Sequence, residues 1–254
     1  MFPKDIDFSK FELFPAIFRK ENPNTWTIPI EYDHKSLVIQ TPEMICRWPL
    51  NEYIYELPTN KTSSSFNESK QDNDNNGGKP KVKKFYSLCC LLDKNKLGHS
   101  EFIDFLQTLD NKIKDYVNQK YNNKISKNSK FTGSITEANG YMNEKSNSNE
   151  IWFRAKFVSN SQIFKCNVTK DNKEIDKGIQ NMKQLLTQGT KVRLIIRLNP
   201  FWCNHVQKYG LSWQIMNLDI ITERYNFNNS IENINENKNN DKSSSFNNKK
   251  ELSN

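Results

Sequence analysis

The amino-acid sequence predicts a mainly β protein, with a β-barrel core and two helices. Several segments alternate apolar and polar residues, which is typical of strands with one buried face. Only two segments repeat apolar residues at helical spacing. Within residues 151–223 the predicted order is strand, strand, helix, strand, strand. That order suits a small Greek-key barrel such as the OB-fold.

The first part of the chain contains three predicted strands. Alternate residues of segment 26–32 are apolar or aromatic, and Pro29 on the other face suggests an edge strand. A turn at 33–35 separates this segment from 36–40, so we expect residues 26–40 to form a hairpin. Segment 85–92 is a nearly continuous run of apolar β-formers, which predicts a central strand.

Three further predicted strands carry cations on their outward faces. They are segments 151–158, 164–168 and 191–198. The side chains predicted to face the core are Phe153, Ala155, Phe157, Phe164, Cys166, Val168, Val192, Leu194, Ile196 and Leu198. The outward face of the third strand holds Lys191, Arg193 and Arg197 and no anion.

Two helices are predicted from apolar stripes. Ser100 is placed to cap the first helix. Its stripe consists of Phe102, Leu106, Leu109, Ile113 and Val117, which we expect in the core. The second helix is short and is placed to end at Gly189. Its apolar side consists of Ile175, Ile179, Met182 and Leu185.

Composition predicts one domain with disordered insertions. Segments 58–84, 122–150 and 228–254 are rich in Asn, Ser and Lys and poor in aliphatic residues. Such segments cannot bury enough apolar surface to offset chain entropy, so we expect them to be disordered. The expected domain is OB-fold-like, spans 1–227 and includes an N-terminal extension, and 228–254 is its tail.

Cysteine usage and hydropathy indicate an intracellular protein. The chain has five cysteines, an odd number that includes the vicinal pair Cys89 and Cys90, which favours reduced thiols. It has no apolar run near the roughly 18 residues that a membrane span requires, and its N-terminus is unlike a signal peptide. No association with a membrane is expected.

The excess of positive charge is concentrated in residues 151–227, where aromatic residues lie beside the cations. The formal net charge is +8, and residues 151–227 hold twelve Lys and Arg against five acids. Cations beside flat rings are the parts of a platform for single-stranded nucleic acid. The candidate nucleic-acid contacts are Trp152, Arg154, Lys156, Lys165, Lys191, Arg193, Arg197, Phe201, Trp202, Lys208, Tyr209 and Trp213.

Two other interpretations of this basic face remain open. Lys and Arg can simply solvate the outer side of a sheet. The same face could also serve a protein-interaction or structural module that binds an acidic partner, or it could bind RNA. The coincidence of cations with aromatic residues favours nucleic acid over solvation.

Part of the chain resembles the single-stranded-DNA-binding proteins of nucleocytoplasmic large DNA viruses. The resemblance is most specific at 198–202 (LNPFW) and 209–213 (YGLSW), and weaker stretches occur at 39–42 and 152–156. It implies an OB-fold-like core that coats single-stranded DNA in replication, recombination or repair. Gln214 stands where the family commonly has Lys, which removes one phosphate contact. The neutral tail also lacks the acidic end that recruits partners in many replication proteins.

The sequence contains no pattern typical of an enzyme. His34, His99 and His205 lie in separate regions, and neither a nucleophile motif nor a phosphate-binding glycine loop occurs. We therefore expect no catalytic activity, no cofactor and no metal. The expected partners are single-stranded DNA, with RNA as the alternative, replication proteins and further copies of the chain along DNA. The expected location is a site of DNA replication, in the nucleus or a cytoplasmic viral factory.

Overall fold

The computed structural model describes residues 1–20, 22–56, 82–137, 151–160, 162–204 and 208–224. Short 3-10 turns at Pro3–Asp5 and Phe8–Lys10 precede the first strand. The strands before the first helix are β1 (Phe11–Leu13), β2 (Ile17–Arg19), β3 (Asn22–Ile28), β4 (Ile30–Tyr32), β5 (Val38–Gln40), β6 (Met44–Cys46), β7 (Asn51–Glu56) and β8 (Val82–Leu92).

Two helices divide the remaining strands. Helix α1 (Leu97–Tyr121) is followed by a 3-10 turn at Asn122–Lys124, and helix α2 (Ile179–Leu185) lies farther along. Between the helices are β9 (Lys130–Thr132), β10 (Ile135–Glu137), β11 (Ile151–Phe157), β12 (Ser159–Asn160), β13 (Ile163–Phe164), β14 (Asn167–Lys170) and β15 (Lys173–Glu174). After α2 come β16 (Thr190–Leu198), β17 (Phe201–Asn204), β18 (Lys208–Gly210) and β19 (Trp213–Arg224).

The centre of the molecule is a closed barrel of five strands. Strand β8 pairs with β6 on one side and with β11 on the other. Strand β16 pairs with β19 on one side and with β5 and β6 on the other. Strands β5 and β6 together form the first strand of the barrel. The parallel pairing of β11 with β19 closes the ring. Numbered in chain order, the barrel strands are joined as 1-2-3-5-4-1, so the predicted OB-fold-like, mainly β class is confirmed.

The barrel interior contains the apolar residues that the alternation predicted. Val192, Leu194, Ile196 and Leu198 of β16 are all buried, and every second residue of β11 is buried as well. Phe164, Cys166 and Val168 are buried too, but the single strand predicted over 164–168 is wrong, because a bend at 165–166 separates β13 from β14. Alternate side chains of a strand point to opposite faces, so one closed sheet separates an apolar interior from a polar exterior.

Helix α1 packs its apolar stripe on this core, as predicted, but it begins earlier than Ser100. All five predicted stripe residues are buried. The N-cap is Lys96, and the Ser100 hydroxyl donates to the Leu97 carbonyl instead of capping the helix. The helix start is set by buried His99, whose Nδ1 accepts from the Asp93 N–H and whose Nε2 lies 2.6 Å from the Glu43 carbonyl.

Helix α2 is shorter than its predicted stripe. Ile179 and Met182 are buried as expected, but Ile175 precedes the helix. Gly189 does not end the helix directly. It has φ 86° in the turn into β16, where its N–H donates to the Cys46 carbonyl. Neither helix in the described part of the chain combines the length and apolarity needed to cross a membrane.

The predicted hairpin over 26–40 is wrong. Alternate residues of 26–32 are buried as expected, but β4 pairs with β1, and β5 pairs with barrel strand β16. The turn forms only the single bridge between Tyr32 and Lys35. Burial of Leu37 and Ile39 against the barrel separates β5 from β4.

A second sheet flanks the barrel, and it corrects the prediction of disorder over 122–150. Its five strands follow the order β2-β3-β17-β18-β9. Strand β9 and the barrel-edge strand β10 both lie within that segment, as does the 3-10 turn after α1. Phe131 and Ile135 pack on the core despite the polar composition around them. The start of β8 likewise includes 82–84. Residues 57–81, 138–150 and 225–254 lie outside the described residues.

Candidate nucleic-acid interface

Barrel strands β8 and β11 present one outward face of mixed cationic and aromatic character. In their antiparallel register Trp152 lies opposite Leu91, Arg154 opposite Cys89 and Lys156 opposite Ser87. Paired residues share a face, so Trp152, Arg154 and Lys156 form one row on the outside of the barrel. These three predicted contacts are therefore brought together. Such second and third barrel strands form the oligonucleotide-binding face of OB-folds.

Tyr53 of β7 and Phe85 of β8 add two exposed rings to this row. Strand β7 pairs with the other edge of β8, and Tyr53 lies opposite Phe85. The rings are unusually exposed for aromatic residues, at 44% for Tyr53 and 38% for Phe85. Phe85 is two residues before Ser87, so the pair lies next to Lys156 on the same face.

A tryptophan pair occupies the opposite end of the row. Trp48 and Trp152 meet edge to face, with ring centroids 4.7 Å apart and an interplanar angle of 73°. The Arg47 guanidinium lies 5.7 Å from the centroid of the Trp48 ring, within range of a cation–π interaction. We define the barrel face as Trp48, Tyr53, Phe85, Trp152, Arg154 and Lys156.

A groove of about 280 Å³ lies on the barrel face between its rings and its cations. Desolvation lowers the pKa of Lys156, and the nearby charge of Arg154 lowers it further. Burial raises the pKa of the Cys89 thiol to about 11, although the hydrogen-bonded Arg154 opposes that shift. Among the described residues no carboxylate forms an ion pair with Arg154 or Lys156. The two cations therefore face the groove without a counter-charge from this part of the chain.

The predicted cations of β16 have protein partners. Arg193 forms an ion pair with Glu43, so it is not a free cation awaiting phosphate. Arg197 Nη2 donates to Gln214 Oε1 at 2.6 Å. Gln214 is also in register with Lys156, so Arg197 continues the row beyond β11. Lys191 is half-buried and lies in register with Ile45.

Three predicted stacking residues lie in the core. Phe201 is 0% exposed, Trp213 1% and Tyr209 6%, so none offers a ring face to a base. The segment between β16 and β19 forms the β17–β18 hairpin, which pairs with β3. There the ring centroids of Trp26 and Phe201 lie 5.4 Å apart. The aromatic residues of segment 198–213 are explained by this packing, because they hold the second sheet on the barrel.

The remaining predicted contacts lie away from the barrel face. Trp202 is half-buried on β17, and its indole nitrogen is enclosed without a hydrogen-bond acceptor among the described residues. Lys208 is exposed on β18, and Lys165 is exposed between β13 and β14. The structure therefore divides the predicted contacts among the barrel face, the β16 exterior, the second sheet and the core.

Solved structures of phage single-stranded-DNA-binding proteins share the general arrangement. The crystal structure of gp2.5 of bacteriophage T7 aligns with 74% of this chain and 93% of its own, at 10% identity and a TM-score of 0.44. The protein of bacteriophage Enc34, in complex with single-stranded DNA, aligns with 85% of this chain and 98% of its own, at 13% identity and a TM-score of 0.42. No family model and no curated protein matches the chain. At these identities and scores the likeness carries no argument about function.

Sequence reasoning missed half of the barrel face. Trp48, Tyr53 and Phe85 lie outside the basic stretch 151–227. Arg47, which contacts Trp48, likewise lies near the start of the chain. The available signal was the alternation Phe85, Ser87, Cys89, Leu91, which forms one face of a strand that otherwise looks wholly apolar. Only the pairing of β7 with β8 brings Tyr53 next to Phe85.

The five cysteines are free thiols in buried positions. Within the described ranges no group of three His, Cys, Asp or Glu residues is arranged to hold a metal ion.

Proposed function

We propose that this chain binds single-stranded DNA on the barrel face and acts as a binding protein, not an enzyme. One observation carries the proposal. Four accessible or half-accessible rings share a face with Arg154 and Lys156, and no described carboxylate neutralises these two cations. Stacking rings beside unneutralised cations suit bases beside phosphates.

The rings and the cations have separate roles in this proposal. Bases stack on the Tyr53–Phe85 pair at one end and on the Trp48–Trp152 pair at the other. Arg154 and Lys156 lie between these pairs in the register and contact the phosphates. A bound phosphate supplies the counter-charge that Lys156 lacks, which offsets the desolvation that lowers its pKa.

Tryptophan fluorescence tests the proposal directly, because Trp48 and Trp152 lie on the face. We expect oligo-dT to quench the emission and log K to fall as salt rises, by about 0.7 per phosphate contact. The double variant Arg154→Gln/Lys156→Gln should flatten this slope by about 1.4, since it removes two contacts. The charge-matched control Lys4→Gln/Lys173→Gln removes two exposed lysines from other surfaces and should leave the slope unchanged. Equal effects in both variants would contradict the proposed face.

The same titration separates the rival ligands. A poly-glutamate peptide offers charge without bases, so binding as tight as that of oligo-dT would favour an acidic protein partner. An rU oligomer that binds more tightly than its dT counterpart would favour RNA. The groove between exposed rings favours a ligand with flat groups, which a poly-glutamate peptide lacks.

We further propose that the protein coats single-stranded DNA during replication, recombination or repair, at sites of DNA replication in the nucleus or a viral factory. The support is the sequence resemblance at 198–202 and 209–213 to the proteins of large DNA viruses. Replication proteins and neighbouring copies on the DNA are the proposed partners. Co-localisation of the tagged chain with newly replicated DNA tests this role, and a uniform distribution would contradict it.

A further inference from the structure

A second basic surface lies beside the barrel, at the junction of α1, β9 and β18. Residues 111–132 contain one acid, Asp115, and six lysines: Lys112, Lys114, Lys120, Lys124, Lys127 and Lys130. The second half of α1 meets β9 here, since Lys114 Nζ lies 6.0 Å from the centroid of the Phe131 ring. These six lysines come from outside the basic stretch 151–227, and Lys208 of β18 comes from within it.

Two of these lysines have evident structural roles. The Lys112 ammonium donates to the Phe8 carbonyl and ties the N-terminal segment to the helix. Lys120 lies in the last turn of α1, where a cation stabilises the helix dipole, and it is 5.6 Å from the Tyr116 ring. Neither residue therefore requires a ligand to explain it.

Lys130 and Lys208 have no such role. They lie directly opposite each other in the parallel register of β9 and β18, and both are exposed. Like charges at paired positions are destabilising. No carboxylate of the described residues pairs with Lys114, Lys130 or Lys208. The Phe131–Tyr209 contact at 5.6 Å fixes the strands that hold the two lysines together. Lys114 lies over the ring of Phe131, and neighbouring residues of a strand point to opposite faces, so Lys114 is on the other side of β9 from Lys130. We name Lys130 and Lys208 the lysine track.

The lysine track is connected to one end of the barrel face. Thr136 of β10 is in register with Trp152, and the same segment runs back to Lys130. Thr136 is six positions after Lys130, so the distance between their Cα atoms is at most about 20 Å. That distance is short enough for a few nucleotides of a strand that leaves the tryptophan pair over β10 to reach the track.

We propose that the lysine track binds the phosphate backbone of a single DNA strand that continues beyond the Trp152 end of the barrel face. The inference rests on the proposed function, because it extends the same ligand. It predicts two-part binding, in which short oligomers occupy the barrel face alone and longer oligomers also reach the track. The track makes only charge contacts, so it adds affinity and salt dependence without sequence preference.

The test compares two lengths of oligo-dT on the full chain. The short oligomer has about 6 nucleotides, near the lower limit for one OB-fold, and the long one has about 20. The track variant is Lys130→Ala/Lys208→Ala. Its charge-matched control is Lys4→Ala/Lys173→Ala, which changes two exposed lysines elsewhere. Thermal unfolding checks the fold, and removal of the Lys130–Lys208 repulsion should leave the melting temperature of the track variant unchanged or higher.

For the track variant we expect unchanged affinity for the short oligomer. For the long oligomer we expect a loss on the order of tenfold at low salt and a salt slope flatter by about 1.4, since each of two contacts contributes about 0.7. Equal losses of affinity for the two oligomers, or the same loss in the control variant, would overturn the proposed role of the lysine track. No loss at either length would overturn it too, while leaving the barrel-face proposal intact. If the unmodified chain binds neither oligomer, the proposed function itself fails.

Discussion

At the scale of single residues, strand register decides whether a ring packs in the core or faces outward. Trp152 and Trp213 belong to paired strands, yet Trp213 is buried and donates from Nε1 to Ser134 Oγ at 2.9 Å. Trp152 faces outward one position away from buried Ile151 and Phe153. The sequence does not distinguish the two residues clearly, because both are tryptophans close to strands that are rich in Lys and Arg.

Truncation of these two tryptophans should have opposite consequences. Trp152→Ala should cost about 1–3 kcal/mol of binding free energy, because it removes a base-stacking ring, and should change the melting temperature little. Trp213→Ala should cost about 3–5 kcal/mol of unfolding free energy through the cavity it leaves. Oligo-dT titration and thermal unfolding of both variants separate the outcomes. Unchanged oligo-dT affinity in a folded Trp152→Ala protein would contradict the stacking role.

Two arginines on outward strand faces should also differ. Arg154→Ala should flatten the salt slope of binding by about 0.7, because it removes one phosphate contact. Arg193→Ala should leave the slope unchanged, because its guanidinium is already paired with Glu43. Titrations with oligo-dT at several salt concentrations measure both slopes. A larger effect from Arg193 than from Arg154 would place the DNA on the exterior of β16.

At the scale of elements, α1 is fastened to the barrel by a buried chain of hydrogen bonds. Ser134 donates to Asp110 from both its N–H and its hydroxyl, each at 2.7 Å, and Ser134 Oγ accepts from Trp213. Desolvation raises the pKa of Asp110 to about 6, although both donors oppose that shift. The helix, the loop before β10 and the start of β19 therefore share one buried titratable group.

This carboxyl should make stability depend on pH. The pKa of Asp110 is higher in the folded chain than the ordinary 3.8, so the folded state binds the proton more tightly. The protonated Asp110 carboxyl stabilises the folded state. This stabilisation is fully present below about pH 3.8 and is lost as pH rises through about 6. The loss amounts to roughly 3 kcal/mol. Denaturant unfolding of the wild type and Asp110→Asn from pH 3.5 to 7 gives the difference. Parallel curves for the two proteins would refute this assignment.

Gly210 shows why the YGLSW segment contains a glycine. A Cβ at this position would stand 2.0 Å from the Thr132 carbonyl oxygen, because β18 and β9 approach closely there. We expect Gly210→Ala to destabilise the fold by about 1–3 kcal/mol or more, since backbone must move. Chemical denaturation measures the change. Gly98→Ala is the control, because a Cβ at that position would lie 3.8 Å from its nearest neighbour, the Cβ of Pro42. Equal stability of the two variants would contradict this explanation.

At the scale of the whole molecule, basic groups occur on two separated surfaces joined by one segment. The barrel face lies on β7, β8 and β11 and includes Trp48 of the loop before β7, and the lysine track lies on β9 and β18. Strands β9 and β10, in a segment that composition marks as disordered, connect the second sheet to the barrel edge. The net charge of +8 therefore describes the molecule less well than the position of each cation does.

The tail should contribute little to the binding of a short oligomer. Residues 228–254 hold four acids and four lysines, with Phe246 as their single aromatic. A chain that ends at Phe227 should bind oligo-dT within about threefold of full length, which is under roughly 0.7 kcal/mol. Fluorescence titration of the two chains checks this. If the truncated chain binds oligo-dT ten times more weakly than full length, the tail supplies contacts to DNA.

The sequence alone determined the features that depend on local periodicity. Alternation in 191–198 and 151–157 identified which residues are buried, and helical spacing identified the stripe of α1, because a regular backbone maps sequence spacing directly onto faces. The basic, aromatic character of Trp152, Arg154 and Lys156 was predicted in the same way.

Only the tertiary structure decided which strands pair, and that pairing decides the rest. The β17–β18 hairpin buries Phe201 and Tyr209 against a sheet that composition did not reveal, and Glu43, in the loop before β6, neutralises Arg193. Tyr53 and Phe85 become neighbours across a segment of the chain that the structure does not describe. These contacts join residues far apart in sequence, where local propensity carries no information and the burial of the whole core selects the arrangement.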